Sequence, residues 1–169
     1  GILISGGSIS NNTVPDSGGG LYIRNSASEI SGTAEIANNV ADLGGGISFY
    51  EGARNTLVVK GNAKISENTA KGTSRRNEEG EEYDKFYGGG IYANVGTIVT
   101  LQGECVISGN ISEASSKVGR GGGGNGGGGI FSRGTVVMEG GTVSGNYAED
   151  AGGGIYVAGM PSKFTMSGG

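Results

Sequence analysis

The chain has 169 residues, 39 of them glycine, with no Trp, no His, two Pro and one Cys, and its 12 basic and 16 acidic residues leave a net charge of −4. A single Cys105 excludes an intrachain disulfide, and together with the lack of His it excludes His/Cys zinc sites and imidazole catalysis; an acidic chain without a basic cluster argues against nucleic acid. No apolar run is long enough for a transmembrane helix, and the glycines follow no period of three and are interleaved with Ile, Val, Leu and Tyr, which sets the chain apart from collagen and from disorder.

From the N-terminus, a first unit opens on Ile2-Leu3-Ile4, continues through Ile9-x-x-Asn12 and Val14, and closes on Gly18-Gly19-Gly20-Leu21 followed by Tyr22. The second runs through Glu29-Ile30, Ile36-x-x-Asn39 and Ala41 to Gly44-Gly45-Gly46-Ile47 and Ser48. The third has Leu57-Val58-Val59, Ile65-x-x-Asn68 and Ala70, then an insertion over 71–87, then Gly88-Gly89-Gly90-Ile91 and Tyr92. The fourth has Val99-Thr100-Leu101, Ile107-x-x-Asn110 and Ser112, an insertion over 113–126, then Gly127-Gly128-Gly129-Ile130 and Phe131. The fifth has Val136-Val137-Met138, Val143-x-x-Asn146 and Ala148, then Gly152-Gly153-Gly154-Ile155 and Tyr156, and Phe164-Thr165-Met166 starts a sixth. The spacings between these Asn residues are 27, 29, 42 and 36, and both long ones contain an insertion at the same corner, between Asn and GGG.

A unit that accepts insertions at only one corner belongs to a solenoid. Helical repeats need runs of ten or more residues with a 3.6 period, whereas these apolar pieces are short, alternate, and are broken by glycine. The fold class predicted is therefore all-β: a right-handed parallel β-helix of about five coils, one domain over 1–169, read as a segment of a longer repeat region with further coils or copies at both ends. Like residues then sit above like residues. Leu21, Ile47, Ile91, Ile130 and Ile155 form one inward column; Ile9, Ile36, Ile65, Ile107 and Val143 a second; Ile4, Ile30, Val59, Leu101, Met138 and Met166 a third. Val14, Ala41, Ala70, Ser112 and Ala148 line a tight corner. Asn12, Asn39, Asn68, Asn110 and Asn146 form a structural ladder, because Asn tolerates left-handed backbone and its amide hydrogen-bonds along a stack.

The GGG-[IL] and [IV]-x-x-N phrases resemble the GGA-[ILV] and F-x-x-N repeats of the chlamydial polymorphic outer-membrane proteins and related bacterial surface proteins. Gly152-Gly153-Gly154-Ile155 and Val143-Ser144-Gly145-Asn146 stand in the two matching places, with Gly for Ala in the first motif and Ile or Val for Phe in the second. The resemblance implies a right-handed β-helix passenger on a surface-exposed or secreted, autotransporter-like protein used in adhesion.

Three groups of residues are candidate sites. In–out alternation points Tyr22, Ser48, Tyr92, Phe131 and Tyr156 at solvent, either as a platform for sugar rings or a partner protein or as a self-stacking ladder covered by the insertions. Insertion one carries Lys71, Arg75, Arg76, Glu78, Glu79, Glu81, Glu82, Asp84 and Lys85, with Tyr83, Phe86 and Tyr87 as possible binding anchors on a loop. Asp16, Asp42, Glu113, Glu149 and Asp150 recur after the Asn; they read as a solvated corner, with calcium as the competing reading, although the G-G-x-G-x-D signature is missing. Cys105 reads as a small buried hydrophobe. No cofactor and no catalytic constellation is expected. The expected function is a structural and adhesive extracellular or bacterial cell-surface module that presents loops and an aromatic strip to a host or neighbouring-cell protein or glycan. A fibre subunit stacking end to end is the alternative, and a carbohydrate-active β-helix enzyme a more distant one.

Overall fold

The computed structural model describes residues 1–50, 54–72, 75–76, 82–83, 87–113 and 126–169. Their regular structure is entirely strand and turn, with no helix. The strands are too short to be stable alone, and each finds its hydrogen-bond partners in its own copy one coil away. The result is a parallel β-helix.

Four faces wrap the coil. The first is a six-stranded sheet of Ile2–Ile4, Ala27–Ile30, Thr56–Val59, Ile98–Leu101, Thr135–Met138 and Lys163–Met166, stacked in chain order. The second is five-stranded, from Ser8–Ser10, Glu35–Ala37, Lys64–Ser66, Val106–Ser108 and Thr142–Ser144. The third is a narrow corner of four two-residue strands, Val40–Ala41, Thr69–Ala70, Ile111–Ser112 and Tyr147–Ala148. The fourth holds Leu21–Ile23, Ile47–Phe49, Ile91–Ala93, Ile130–Ser132 and Ile155–Val157. Every pairing between coils is parallel, whereas Arg75–Arg76 and Glu82–Tyr83 pair antiparallel within insertion one.

The register puts the expected columns in place. Ile47 pairs with Leu21 and Ile91, Ile91 with Ile130, and Ile130 with Ile155. Ile9, Ile36, Ile65, Ile107 and Val143 pair in succession. So do Ile4, Ile30, Val59, Leu101, Met138 and Met166, and at the corner Ala41, Ala70, Ser112 and Ala148. Parallel sheets ordinarily need both faces covered; here the inner faces cover one another. Ile30, Ile36, Ile47, Ile65, Ile91, Leu101, Ile107 and Ile130 have no accessible surface.

The core also contains columns that the motifs did not mark. Leu57, Val99 and Val136 fill the first face. On the fourth, Phe49 pairs with Ile23, while the same inward position one and two coils after Phe49 carries Ala93 and Ser132, so small side chains offset a large ring. Ala34, Ala63 and Cys105 close the turn before the second face, each fully buried. Burial pushes the Cys105 thiol above its ordinary value. A thiol reagent should therefore leave the native chain unmodified at neutral pH and label one thiol once denaturant is added; rapid labelling of the native chain would contradict this packing.

Two local features shape the corners. The residue before each ladder Asn is left-handed: Asn11 at φ 60°, Asn38 at 56°, Glu67 at 54°, Gly109 at 63° and Gly145 at 62°. This corrects the expectation that the ladder Asn itself takes that conformation. The bend falls one position earlier, and the ladder Asn is held by its amide instead. The third glycine of GGG meets that ladder: a Cβ on Gly46 would lie 3.0 Å from Asn68 Nδ2 and 2.6 Å from the Gly90 carbonyl oxygen. The Ala that GGA-type repeats carry at this place would not fit here.

Candidate functional site

The outward side of the fourth face carries the aromatic column. Tyr22 pairs with Ser48, Ser48 with Tyr92, Tyr92 with Phe131, and Phe131 with Tyr156. The register is the one expected, but the exposure is not. Phe131 is fully buried, Tyr92 is 6% exposed and Ser48 is 1% exposed; Tyr156 is half-buried, and only Tyr22, at 52%, faces solvent. The column is therefore not a flat open strip.

Two causes of this cover lie among the described residues. The rings shield one another: Tyr92 and Phe131 stack with centroids 5.4 Å apart and planes 8° apart, and Phe131 and Tyr156 lie at 5.5 Å and 56°. The stalks of the insertions also leave the corner beside this face. Gly126 sits so close to Tyr156 that a Cβ would lie 2.8 Å from the ring, and the Tyr87 ring covers Gly72. Alternation sets the side of the sheet that a side chain leaves from, but not whether another segment later folds over it.

Ser48 interrupts the column, and a cleft opens there. Its volume is about 290 Å³, and among the described residues it is lined by Ser17, Tyr22, Leu43, Ser48, Phe49, Tyr50, Tyr92 and Asn94. Ser48 forms the floor on the second coil, with Tyr22 one coil before and Tyr92 one coil after. Tyr50 stands beside the floor. It meets Tyr22 edge to face, with centroids 6.4 Å apart and planes 75° apart, and the Arg24 guanidinium caps its ring at 4.1 Å. Asn94 Oδ1 accepts from the Val95 N–H at 2.8 Å, which anchors that wall. Partial burial, then Tyr50 and Asp16, raise the Tyr22 phenol above its ordinary value against the opposing pull of Arg24. Ser48 is 1% exposed and lines this cleft.

Of the other candidates, Tyr87 is 3% exposed, so its side chain is packing rather than an open anchor. Tyr83 lies in the Glu82–Tyr83 strand of the insertion hairpin, and Phe86 falls outside the described residues. Of the acids that recur after the Asn, the Asp42 backbone N–H donates to the Asp16 carbonyl at 3.0 Å, and Glu113 and Glu149 follow the paired Ser112 and Ala148. Lys71, which follows Ala70, interrupts that file of acids. Among the described residues no three His, Cys, Asp or Glu side chains gather into a set able to hold a metal ion, and no helix is long and apolar enough to cross a membrane.

The Asn ladder is continuous. Asn12, Asn39, Asn68 and Asn110 each donate their backbone N–H to the Oδ1 of the next ladder residue, at 3.0, 3.0, 3.1 and 3.0 Å. Each also sends an Nδ2 proton to the same oxygen, at 2.9, 3.0, 3.0 and 2.9 Å. The second Nδ2 proton of Asn39, Asn68, Asn110 and Asn146 goes to the carbonyl of Ile9, Ile36, Ile65 and Ile107, each at 2.9 Å. Every polar atom of an inner ladder amide is thereby used for structure.

Tyr50, Ser17, Leu43 and Asn94 were not singled out by the sequence. The one available signal was that Ser48 is the non-aromatic member of an aromatic column. No family model, no curated protein and no solved structure matches the chain.

Proposed function

We propose that the chain is a non-enzymatic adhesive module, in which a stiff β-helix carries a recognition surface on its fourth face and on the two insertions that leave the corner beside it. The observation that carries this is the cleft at Ser48. It concentrates aromatic and hydroxyl groups in one hollow of the fourth face. Aromatic groups with polar tips make good contact surfaces, because they supply area at low entropic cost. A solenoid suits presentation, since each coil rests on its neighbours and holds its outward side chains in a fixed array. This agrees with the surface or secreted setting that the repeat resemblance implies, and the partner class is a glycan or protein of a host or neighbouring cell.

Beads coated with the purified chain should be retained on cultured cell monolayers under flow, and soluble chain should displace them. Retention no better than that of albumin-coated beads would remove the adhesive reading.

A further inference from the structure

We propose that the outer side of the first face is a self-complementary surface, on which a second copy of this chain docks with its coil axis antiparallel. The proposal does not rest on the adhesive reading. It rests on the order of the outward residues along the stack.

These residues occupy two columns. One is Ala27, Thr56, Ile98, Thr135 and Lys163; the other, two residues further along each strand, is Glu29, Val58, Thr100, Val137 and Thr165. The intervening Leu57, Val99 and Val136 point inward and are fully buried, whereas Thr56 and Lys163 are exposed and Ile98 is 43% exposed. Val58, Thr100, Thr135 and Val137 are half-buried. The three middle rungs read Thr-x-Val, Ile-x-Thr, Thr-x-Val, an order that is the same from either end. The rungs that flank them carry opposite charges, Glu29 on one side and Lys163 on the other. Strand propensity accounts for the β-branched residue types. It does not account for the mirror order.

A two-fold axis along the Ile98–Leu101 strand turns that order into complementarity. Such an axis keeps the position along a strand and reverses the rungs, so the patch meets itself. With two sheets packed face to face, Val58 lies over Val137 of the second copy, Thr56 over its Thr135, and Ile98 over its own copy. Glu29 lies over Thr165 of the second copy, two residues along the strand from Lys163 of that copy. About 10 Å between sheets and about 6.6 Å for two residues of strand put those two Cα atoms about 12 Å apart, a gap that a Glu and a Lys side chain span together. Glu29 already accepts from Lys60 at 2.8 Å, with both side chains partly exposed, and a carboxylate has acceptor sites for a second cation. Docking with parallel axes fails the same test. It sets Thr against Val, brings the two Glu29 together at one end, and brings the two Lys163 together at the other; like charges so placed disfavour a contact.

The patch is small, four spacings of about 4.8 Å in height. It falls below the area of a stable dimer, and the dissociation constant expected is on the order of 0.1–1 mM. Antiparallel axes suit copies that project toward one another from two facing surfaces, where many weak contacts act together.

Sedimentation velocity of the purified chain, from about 10 µM to about 1 mM, should show a monomer–dimer equilibrium. Ile98→Asp, which sets two carboxylates against each other on the axis, should weaken it about tenfold or more. Lys163→Glu should weaken it severalfold, and adding Glu29→Lys should restore it to within about twofold. In Ile98→Cys the new thiol should be joined into a covalent dimer by a short bismaleimide, while the buried Cys105 stays unmodified. Lys64→Cys, exposed on the second face, should give no such dimer. Thermal unfolding of each variant checks that the fold is intact.

The proposal is overturned if the chain stays monomeric throughout, or if folded Ile98→Asp associates as the unaltered chain does, as it would when copies stack through their ends. It is also overturned if Ile98→Cys cross-links no better than Lys64→Cys, or if Glu29→Lys does not relieve the effect of Lys163→Glu. Bead retention on cell monolayers is a separate measurement. Retention by a chain that stays monomeric keeps the adhesive module and removes the self-docking surface, and dimers without retention do the reverse.

Discussion

Replacing Asn68 with alanine is expected to cost about 3–5 kcal/mol of folding stability, more than any exposed change on this chain. Asn68 Oδ1 accepts both the backbone N–H and an Nδ2 proton of Asn39, and Asn68 Nδ2 donates to the Ile36 carbonyl. Alanine leaves both Asn39 donors without partners and removes one of the donors to the Ile36 carbonyl, and Asn39 and Asn68 have no accessible surface through which water could replace them. Each buried orphan costs roughly 1–3 kcal/mol. The lesion also sits mid-stack. Because a solenoid is held by nearest-neighbour contacts, failure of a central coil uncouples the coils on either side, and a broadened or split urea transition is expected along with the lower midpoint. Asn12→Ala is the internal control: Asn12 is exposed at the first coil and donates only onward to Asn39, so its loss should cost under about 1 kcal/mol. Equal midpoints for the two variants would show that the ladder does not hold this corner.

Gly46→Ala should cost about 2–3 kcal/mol, while Gly154→Ala should be neutral or stabilise by up to about 1 kcal/mol. Both are the third glycine of the same motif, and neither has a left-handed φ. The difference is therefore one of space alone. A Cβ at Gly46 meets the Gly90 carbonyl oxygen at 2.6 Å and the Asn68 amide carbon at 3.1 Å, and both belong to the neighbouring coil; at Gly154 the nearest atom is Val143 Cγ1 at 3.6 Å, an ordinary contact. Inside the stack the new methyl must push the ladder amide off its hydrogen bonds, so the cost combines overlap with a weakened ladder. Thermal melts of the two variants test this side by side. If Gly46→Ala melts with the unaltered chain, the coils have slack at this corner and the link between the GGG and Asn columns is wrong.

These two predictions follow from periodicity and from the backbone, and that part of the protein was open to sequence reasoning. In a β-helix an inward Ile in one coil has to lie over an inward Ile in the next, so five copies of GGG-[IL] and [IV]-x-x-N specify the register from Leu21 to Ile155 without further information. Columns lacking a repeated letter were harder to see. Ile23, Phe49, Ala93 and Ser132 share one inward position, but their sizes compensate between coils, which hides the column from a search for likeness. The left-handed residue was misplaced by one position for a related reason. Asn11 and Asn38 do take positive φ, but Glu67 occupies the same place, and no residue type identified it.

The aromatic face marks the boundary. The sequence alone determined which residues stand in the column, and that Ser48 breaks it, because alternation and repeat spacing are local properties of the chain. Only the tertiary structure decided that Tyr92 and Phe131 are covered while Tyr22 and Tyr50 frame a cleft. Exposure depends on which distant segments lie over a surface: the stalk at Gly126 and the stacked rings themselves set it here, and the spacing along the chain holds no record of those contacts.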